Sequence, residues 1–68
     1  MFEYTCKNGK KATINPNMIT VIMEDETLDN TLIHTADSPD PIRVVETYEK
    51  VKKQFEHFTY QMHTVAKL

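Results

Sequence analysis

Alternating apolar and polar residues at the start of the chain predict a β-hairpin. Phe2, Tyr4 and Cys6 alternate with polar side chains, which is the pattern of a strand with one buried face. The dipeptide Asn8-Gly9 follows, and it favours a type I′ turn because both residues tolerate positive φ. We therefore predict strands over residues 2–7 and 10–14.

Three further short strands are predicted between turn signals. Pro16 has no backbone donor and stands between two asparagines, so it ends the hairpin. Residues 18–24 carry apolar side chains on both faces, which predicts a central strand. Polar loops then separate strands at residues 31–35 and 42–45. Pro39 and Pro41 place the last of these at a sheet edge.

The hydrophobic period changes near residue 47 and predicts one long helix over residues 47–67. Apolar side chains recur at intervals of three and four residues, in the order Tyr48, Val51, Phe55, Phe58, Met62 and Val65. Thr47 is a suitable N-cap. Such a helix is roughly 33 Å long, whereas a five-residue strand spans about 17 Å. The excess length predicts a partner or dimer interface at Phe55, Phe58, Met62 and Val65.

These patterns predict a single α+β domain over residues 1–68. It contains a small antiparallel sheet or partly open barrel of four to five short strands, followed by one long C-terminal helix. A chain of this length buries only about 60% of its unfolded surface. Cys6 is the only cysteine and cannot form an internal disulfide. We therefore expect a partner protein or a second copy of the chain to supplement the core.

Composition argues against catalysis and against a metal or cofactor. Gly9 is the only glycine, which excludes a glycine-rich phosphate-binding loop. His57 and His63 are six residues apart, which does not suit a helical metal pair. Cys6 lies on the apolar face of its strand, where a thiol is inert. We expect no enzyme, no cofactor and no metal site.

The cysteine content also bears on compartment. A lone thiol fits a reducing compartment, and the first residues lack the basic start and apolar run of a signal peptide. No apolar run approaches the roughly 20 residues that span a bilayer. We expect a cytoplasmic protein without a membrane segment.

Charge makes nucleic acid the less favoured partner. Eight Lys and Arg against ten Asp and Glu give a formal net charge of -2, the wrong sign for binding mainly through phosphates. Four cations remain candidates for contact with nucleic acid or an acidic partner, namely Lys7, Lys10, Lys11 and Arg43. The favoured interpretation of the three lysines is solubility of the hairpin tip.

The order of residues resembles the FlbD-like small proteins over about residues 4–55. The residues that carry the resemblance are Asn8-Gly9-Lys10, Ile14-Asn15, Ile19, Ile22, Leu32, Ile33 and Val44-Val45-Glu46-Thr47. The resemblance implies a compact β-rich fold with a helix, a link to flagellar operons and to similar phage and mobile-element proteins, and no catalytic residues. This chain departs from that pattern at Pro39-Asp40-Pro41 and in its longer helix.

The element order is also similar to that of the carbon storage regulator family of RNA-binding dimers. In that family a binding arginine lies near the junction between strand and helix, where this chain has Arg43. The basic first strand of the family is missing here.

The functional prediction is a non-catalytic protein–protein interaction module that docks its helix stripe and one sheet edge. Its partner is another protein or a second copy of itself. One form of this hypothesis is a phage or mobile-element accessory protein that binds a host protein and modulates it, for example as an inhibitor. The alternatives are a small dimeric nucleic-acid-binding regulator and a flagellar-operon accessory protein.

Overall fold

The computed structural model describes residues 1–26 and 30–66, with side chains described up to residue 60. The elements in chain order are β1 (Phe2–Thr5), β2 (Lys11–Ile14), a short 3₁₀ helix (Pro16–Met18), β3 (Ile19–Glu24), β4 (Thr31–Thr35), β5 (Ile42–Val44) and α1 (Tyr48–Ala66). The predicted α+β class is confirmed. The strands form two small antiparallel sheets that stay open and do not close into a barrel.

The first sheet is the predicted hairpin of β1 and β2. The strands pair from Phe2 opposite Ile14 to Thr5 opposite Lys11. The turn is not the predicted type I′, which needs positive φ at both Asn8 and Gly9: among the described residues only Gly9 has positive φ, at 88°. The turn is closed by the amide of Cys6, which donates to the carbonyl of Lys10 at 2.7 Å.

The second sheet has the order β3-β4-β5, so β4 is its central strand. The sequence-based placement of residues 18–24 as a central strand is wrong, because β3 lies at the edge. Val21 and Met23, which suggested a second covered face, are 46% and 45% exposed. The most buried strand is β4, in which Thr31 and Ile33 on one face are 0% exposed.

Backbone and side-chain hydrogen bonds join the two sheets where β5 leads into the helix. The amide of Val45 donates to the carbonyl of Thr5 at 2.8 Å, and the amide of Lys7 donates to the carbonyl of Arg43 at 3.1 Å. The carboxylate of Glu46 accepts the amide of Thr5, at 3.1 Å to each oxygen. Since a carboxylate is a strong acceptor, Glu46 fixes β1 beside β5.

The core lies between the sheets and the first turns of α1. Its buried apolar side chains, among the described residues, are Tyr4, Ile14, Ile33, Val44 and Val51. Thr47 caps the helix as predicted: its Oγ1 accepts the amide of Lys50 at 3.3 Å. The Tyr4 hydroxyl donates to Oε1 of Gln54 at 2.9 Å, which satisfies the polar end of a buried ring. The first half of α1 is therefore anchored by apolar burial and by a polar contact.

Candidate functional site

The predicted interface residues of α1 fall into two groups, those whose side chains the structure describes and those whose side chains it does not. Phe55 and Phe58 lie on either side of the middle of the helix and are half-buried. Met62 and Val65 were predicted to extend the same interface, and their side chains lie outside the described residues. The candidate site is therefore built from the helix up to residue 60.

One side of the apolar stripe packs on the protein's own hairpin. The Phe58 ring meets the ring of Phe2 edge to face, with centroids 5.7 Å apart and planes at 83°. Phe2 in turn meets Tyr4 at 6.2 Å and 79°. Edge-to-face pairs place the positive edge of one ring against the negative face of the other. Phe58 thus contributes to the fold, and only part of the stripe is available to a partner.

The remaining side of the stripe faces a groove of about 690 Å³. On the helix side its lining comes from Phe55, Phe58, Thr59 and Tyr60, and on the other side from Pro16, Asn17 and Ile19. Tyr60 is 70% exposed at the rim. We call this feature the α1 groove.

The opposite wall of the α1 groove is a rigid corner between the two sheets. Asn15 Oδ1 accepts the amide of Asn17 at 3.0 Å, and the Asn15 carbonyl accepts the amide of Met18 at 2.9 Å. Pro16 begins the 3₁₀ helix and is buried. An Asn side chain that binds the backbone two residues on is a compact turn device, and proline fixes φ at the next position. The wall is therefore preformed.

The chemistry of the α1 groove is that of an apolar docking site. Aromatic rings dominate the helix side, and Ile19 and Pro16 dominate the other. The Thr59 hydroxyl is already used within the helix, where it donates to the carbonyl of Phe55. Tyrosine at the rim of an apolar pocket is a residue type enriched at protein interfaces, because its body is apolar and its end is polar.

The structure brings some of the predicted basic residues together. Lys7, Lys10 and Lys11 are exposed around the hairpin turn, and the bond from Lys7 to the Arg43 carbonyl places Arg43 beside them. Two of the four cations have acidic neighbours. Lys11 Nζ lies 3.8 Å from Glu3, and Arg43 Nε lies 2.7 Å from Asp25. The patch is therefore only partly available to phosphate.

Asp25 is a structural residue that sequence reasoning treated as part of a polar loop. It is 8% exposed, and its side chain is 4% exposed beside Arg43. Its amide donates to the carbonyl of Asn30 at 3.1 Å. A buried carboxylate requires such partners, so the pair with Arg43 attaches the end of β3 to β5 across β4.

Titratable groups do not assemble into a reactive cluster in the part of the chain that the structure describes. No group of three or more His, Cys, Asp or Glu there could hold a metal ion. Burial raises the pKa of Tyr4 to about 12, and the nearby carboxylate of Glu46 adds to the rise. The phenol therefore stays protonated further into the alkaline range than an ordinary tyrosine, as suits a hydrogen-bond donor to Gln54.

Sequence reasoning missed the residues on the corner side of the α1 groove. Asn15, Pro16 and Asn17 were interpreted as a turn that ends a strand, which they are. Their second role, as a wall of the α1 groove, is indicated by the burial of Pro16 in the structure. That burial depends on contacts with residues distant in sequence, which a local sequence pattern does not reveal. Tyr60 was missed because it falls between the stripe positions 58 and 62.

Comparison of the chain with protein-family models, curated proteins and solved structures gave no match. Over the described residues, α1 does not have the length and apolarity that a membrane crossing requires.

Proposed function

We propose that the protein is a non-catalytic interaction module that binds an amphipathic helix of another protein in the α1 groove. The observation that carries this proposal is the groove itself, about 690 Å³ between a helix and a preformed corner, with Phe55 and Phe58 on its helix side. Aromatic side chains in preformed apolar pockets are the residues that most often carry binding energy at interfaces.

The composition of the lining favours a protein ligand over a small molecule. Small-molecule sites combine an apolar pocket with several convergent polar groups that orient the ligand. Here the polar side chains of the lining are those of Asn17, Thr59 and Tyr60, and the Thr59 hydroxyl is bound to its own helix. An amphipathic helix needs no such orientation, because apolar anchors at i, i+3 and i+4 suffice.

The biological role that we propose is that of a phage or mobile-element accessory protein, which modulates a host protein by binding one of its helices. The small size and the preformed groove support this role. The FlbD-like resemblance makes a flagellar-operon accessory protein the related alternative, which the same groove would serve.

Site-specific photo-crosslinking tests the proposal in cells. Benzoylphenylalanine replaces Tyr60 at the groove rim, or replaces His57, which is exposed on the same helix but does not line the groove. We expect a discrete adduct with one protein from position 60 and a much weaker one from position 57. The captured protein is then purified for affinity measurements.

A matched pair of arginine variants then tests the groove with the purified partner. Thr59→Arg places a long charged side chain in the groove, and His57→Arg places the same side chain outside it. We expect Thr59→Arg to raise Kd at least about tenfold, roughly 1.4 kcal/mol, and His57→Arg to leave it unchanged. Equal effects of the two variants, or equal crosslinking from the two positions, would contradict the proposal.

Thr59 is a better position than Phe58 for testing the α1 groove. Phe58→Asp would remove the ring contact with Phe2 as well as the groove wall, so lost binding could reflect lost folding. Thr59 is exposed, and arginine is a good helix former. The Thr59 variant therefore reports on docking with little effect on the fold.

The backbone hydrogen bond from the amide of Lys7 to the carbonyl of Arg43 favours a second candidate function, a small nucleic-acid-binding regulator. It places two of the predicted cations side by side, with Lys10 and Lys11 on the adjoining turn. Phosphate contacts would make affinity fall steeply with added salt, whereas apolar docking would change little. Titration of a labelled single-stranded RNA at two salt concentrations separates the two functions.

A further inference from the structure

Strand β3 is a sheet edge that lacks two of the usual protections against pairing, lysine and proline. It is six residues long, and within residues 1–26 and 30–66 its ladder hydrogen bonds go to β4 alone. Its sequence from Ile19 to Glu24 contains no proline, lysine or arginine. By contrast, β2 of the hairpin sheet begins at Lys11 directly after Lys10. Edge strands are commonly protected by lysine, proline or bulges, because their free amides and carbonyls are templates for another strand.

The ladder pattern shows which backbone groups of β3 point outward. The amide of Asp25 donates to the carbonyl of Asn30 at 3.1 Å, so these opposite residues form a hydrogen-bonded pair. The neighbouring pair in the ladder is Glu24 opposite Thr31. Bonded and non-bonded pairs alternate along an antiparallel ladder. Val21 and Met23 therefore bond to β4, and the amides and carbonyls of Ile22 and Glu24 point to the open edge.

We propose that β3 pairs with β3 of a second copy of the chain, antiparallel, about a two-fold axis at Ile22. In this register the two Ile22 residues face each other and exchange both outward hydrogen bonds. Val21 of each copy lies opposite Met23 of the other copy. The two three-stranded sheets become one continuous six-stranded sheet.

The side chains of β3 suit this register on both faces. Directly opposite residues of an antiparallel pair lie on the same face, so Val21 and Met23, exposed by 46% and 45%, meet each other on the outer face. Ile22 is half-buried on the core face and meets its own counterpart. Glu24 is the only charged residue of the strand and falls opposite Thr20. No like charges meet.

The bulge in β3 is compatible with the pairing. Its register against β4 shifts between Ile19 and Val21, which leaves Val21 to Glu24 regular. Bulges twist an edge away from a new strand, and here the twist falls outside the three central residues of the proposed pair.

Self-complementarity favours a second copy over a strand from a different protein. A two-fold axis at Ile22 satisfies the outward groups of both edges at once, and it covers Val21 and Met23 with the same two residue types. The core is also small, with five buried apolar side chains among the residues whose side chains are described. Small domains commonly gain stability through oligomerisation. The α1 groove is a separate surface, since none of residues 20–24 lines it.

Light scattering of the intact protein across a dilution series tests the proposal. At high concentration we expect a mass twice the 7.9 kDa of the chain. Val21→Lys should weaken the dimer at least about tenfold, because it opposes a charged side chain to Met23 of the other copy. The matched control is Val45→Lys, at a residue that is equally exposed, 45%, and outside β3.

A charge pair tests the register itself. Val21→Lys combined with Met23→Glu in one chain places the introduced lysine of each copy opposite the introduced glutamate of the other, so the dimer should be recovered. Circular dichroism and urea midpoints check that every variant folds.

Three results would overturn the proposal: a monomer at all concentrations, a dimer that Val21→Lys does not weaken, or a double variant that stays as weak as Val21→Lys. Thr59→Arg should leave the mass unchanged. A dimer that Thr59→Arg disrupts would mean that copies associate through the α1 groove, and this result would also overturn pairing at β3. Such a failure of β3 pairing is distinguishable from a failure of helix docking, which the partner affinities measure.

Discussion

Residues 47–54 and residues 55–60 of the helical segment have different relations to the rest of the molecule. At its beginning, Thr47 caps the helix, Val51 is 0% exposed in the core, and Gln54 accepts the hydroxyl of Tyr4. Further along, Phe55 and Phe58 are only half-buried, and Tyr60 is 70% exposed beside the α1 groove. One regular apolar stripe thus serves the fold over residues 47–54 and leaves an open surface over residues 55–60.

The difference shows that a hydrophobic stripe in the sequence does not determine which of its residues are buried in the core and which line an open groove. Where the sheets lie beneath the helix, apolar burial is matched by polar contacts such as the bond between Glu46 and Thr5. Where the helix meets the 3₁₀ corner, the corresponding volume is left as a groove. We therefore expect substitutions near the beginning of α1 to change the stability of the fold, and those in the groove to change binding.

Val51→Ala should give the largest loss of stability at the anchored end. It removes two buried methyl groups from a fully buried position and leaves a cavity, which costs about 2 kcal/mol of unfolding free energy. Urea unfolding followed by circular dichroism measures the change. Lys53→Ala, at an exposed position of the same helix, should stay within about 0.5 kcal/mol. Equal losses in the two variants would mean that Val51 does not anchor the helix.

Glu46→Ala should have a smaller effect on the same end. It leaves the partly buried amide of Thr5 without its carboxylate acceptor, which costs roughly 1–2 kcal/mol. Hydrogen exchange at the Thr5 amide should accelerate by more than the overall loss of stability explains. Glu56→Ala is the matched control, because that carboxylate is exposed and lies 4.0 Å from Lys52. An exposed pair contributes less than about 1 kcal/mol.

Local pattern was sufficient for the elements of the fold. Each predicted strand overlaps an observed one and extends at most two residues further at either end, and the predicted start of the helix at Thr47 is its cap. The signals were local: alternation in β1, the Asn8-Gly9 turn, and the three-and-four spacing of α1. Such signals act within a few residues, where steric and hydrogen-bonding preferences decide conformation.

Strand order was not predictable by the same means. Residues 18–24 were placed at the centre of the sheet because they are apolar on both faces, and the structure has β3 at an edge. An apolar outer face has the same pattern whether another layer of the protein covers it or it stays exposed. The partnership of Asp25 with Arg43 was equally hidden, since the pair joins residues 18 positions apart across a strand.

Alkaline pH should leave stability unchanged until about pH 10, because Tyr4 contributes a constant amount at neutral pH. Burial, with a contribution from Glu46, raises the pKa of Tyr4 to about 12 in the folded protein, whereas tyrosine in an unfolded chain has a pKa near 10. The folded state therefore holds the phenol proton more tightly. This contribution is complete below pH 10 and is lost as the pH rises through about 12.

Urea unfolding across that range should show wild-type stability falling between about pH 10 and pH 12, with a shallower fall in Tyr4→Phe. The phenylalanine variant loses the bond to Gln54, which costs about 1 kcal/mol at neutral pH, and it has no proton to lose. Absorbance of tyrosinate should show that the ionisation near pH 12 is missing from the variant. Parallel pH slopes for the two proteins would mean that the ring of Tyr4 is not held neutral at the anchored end of α1.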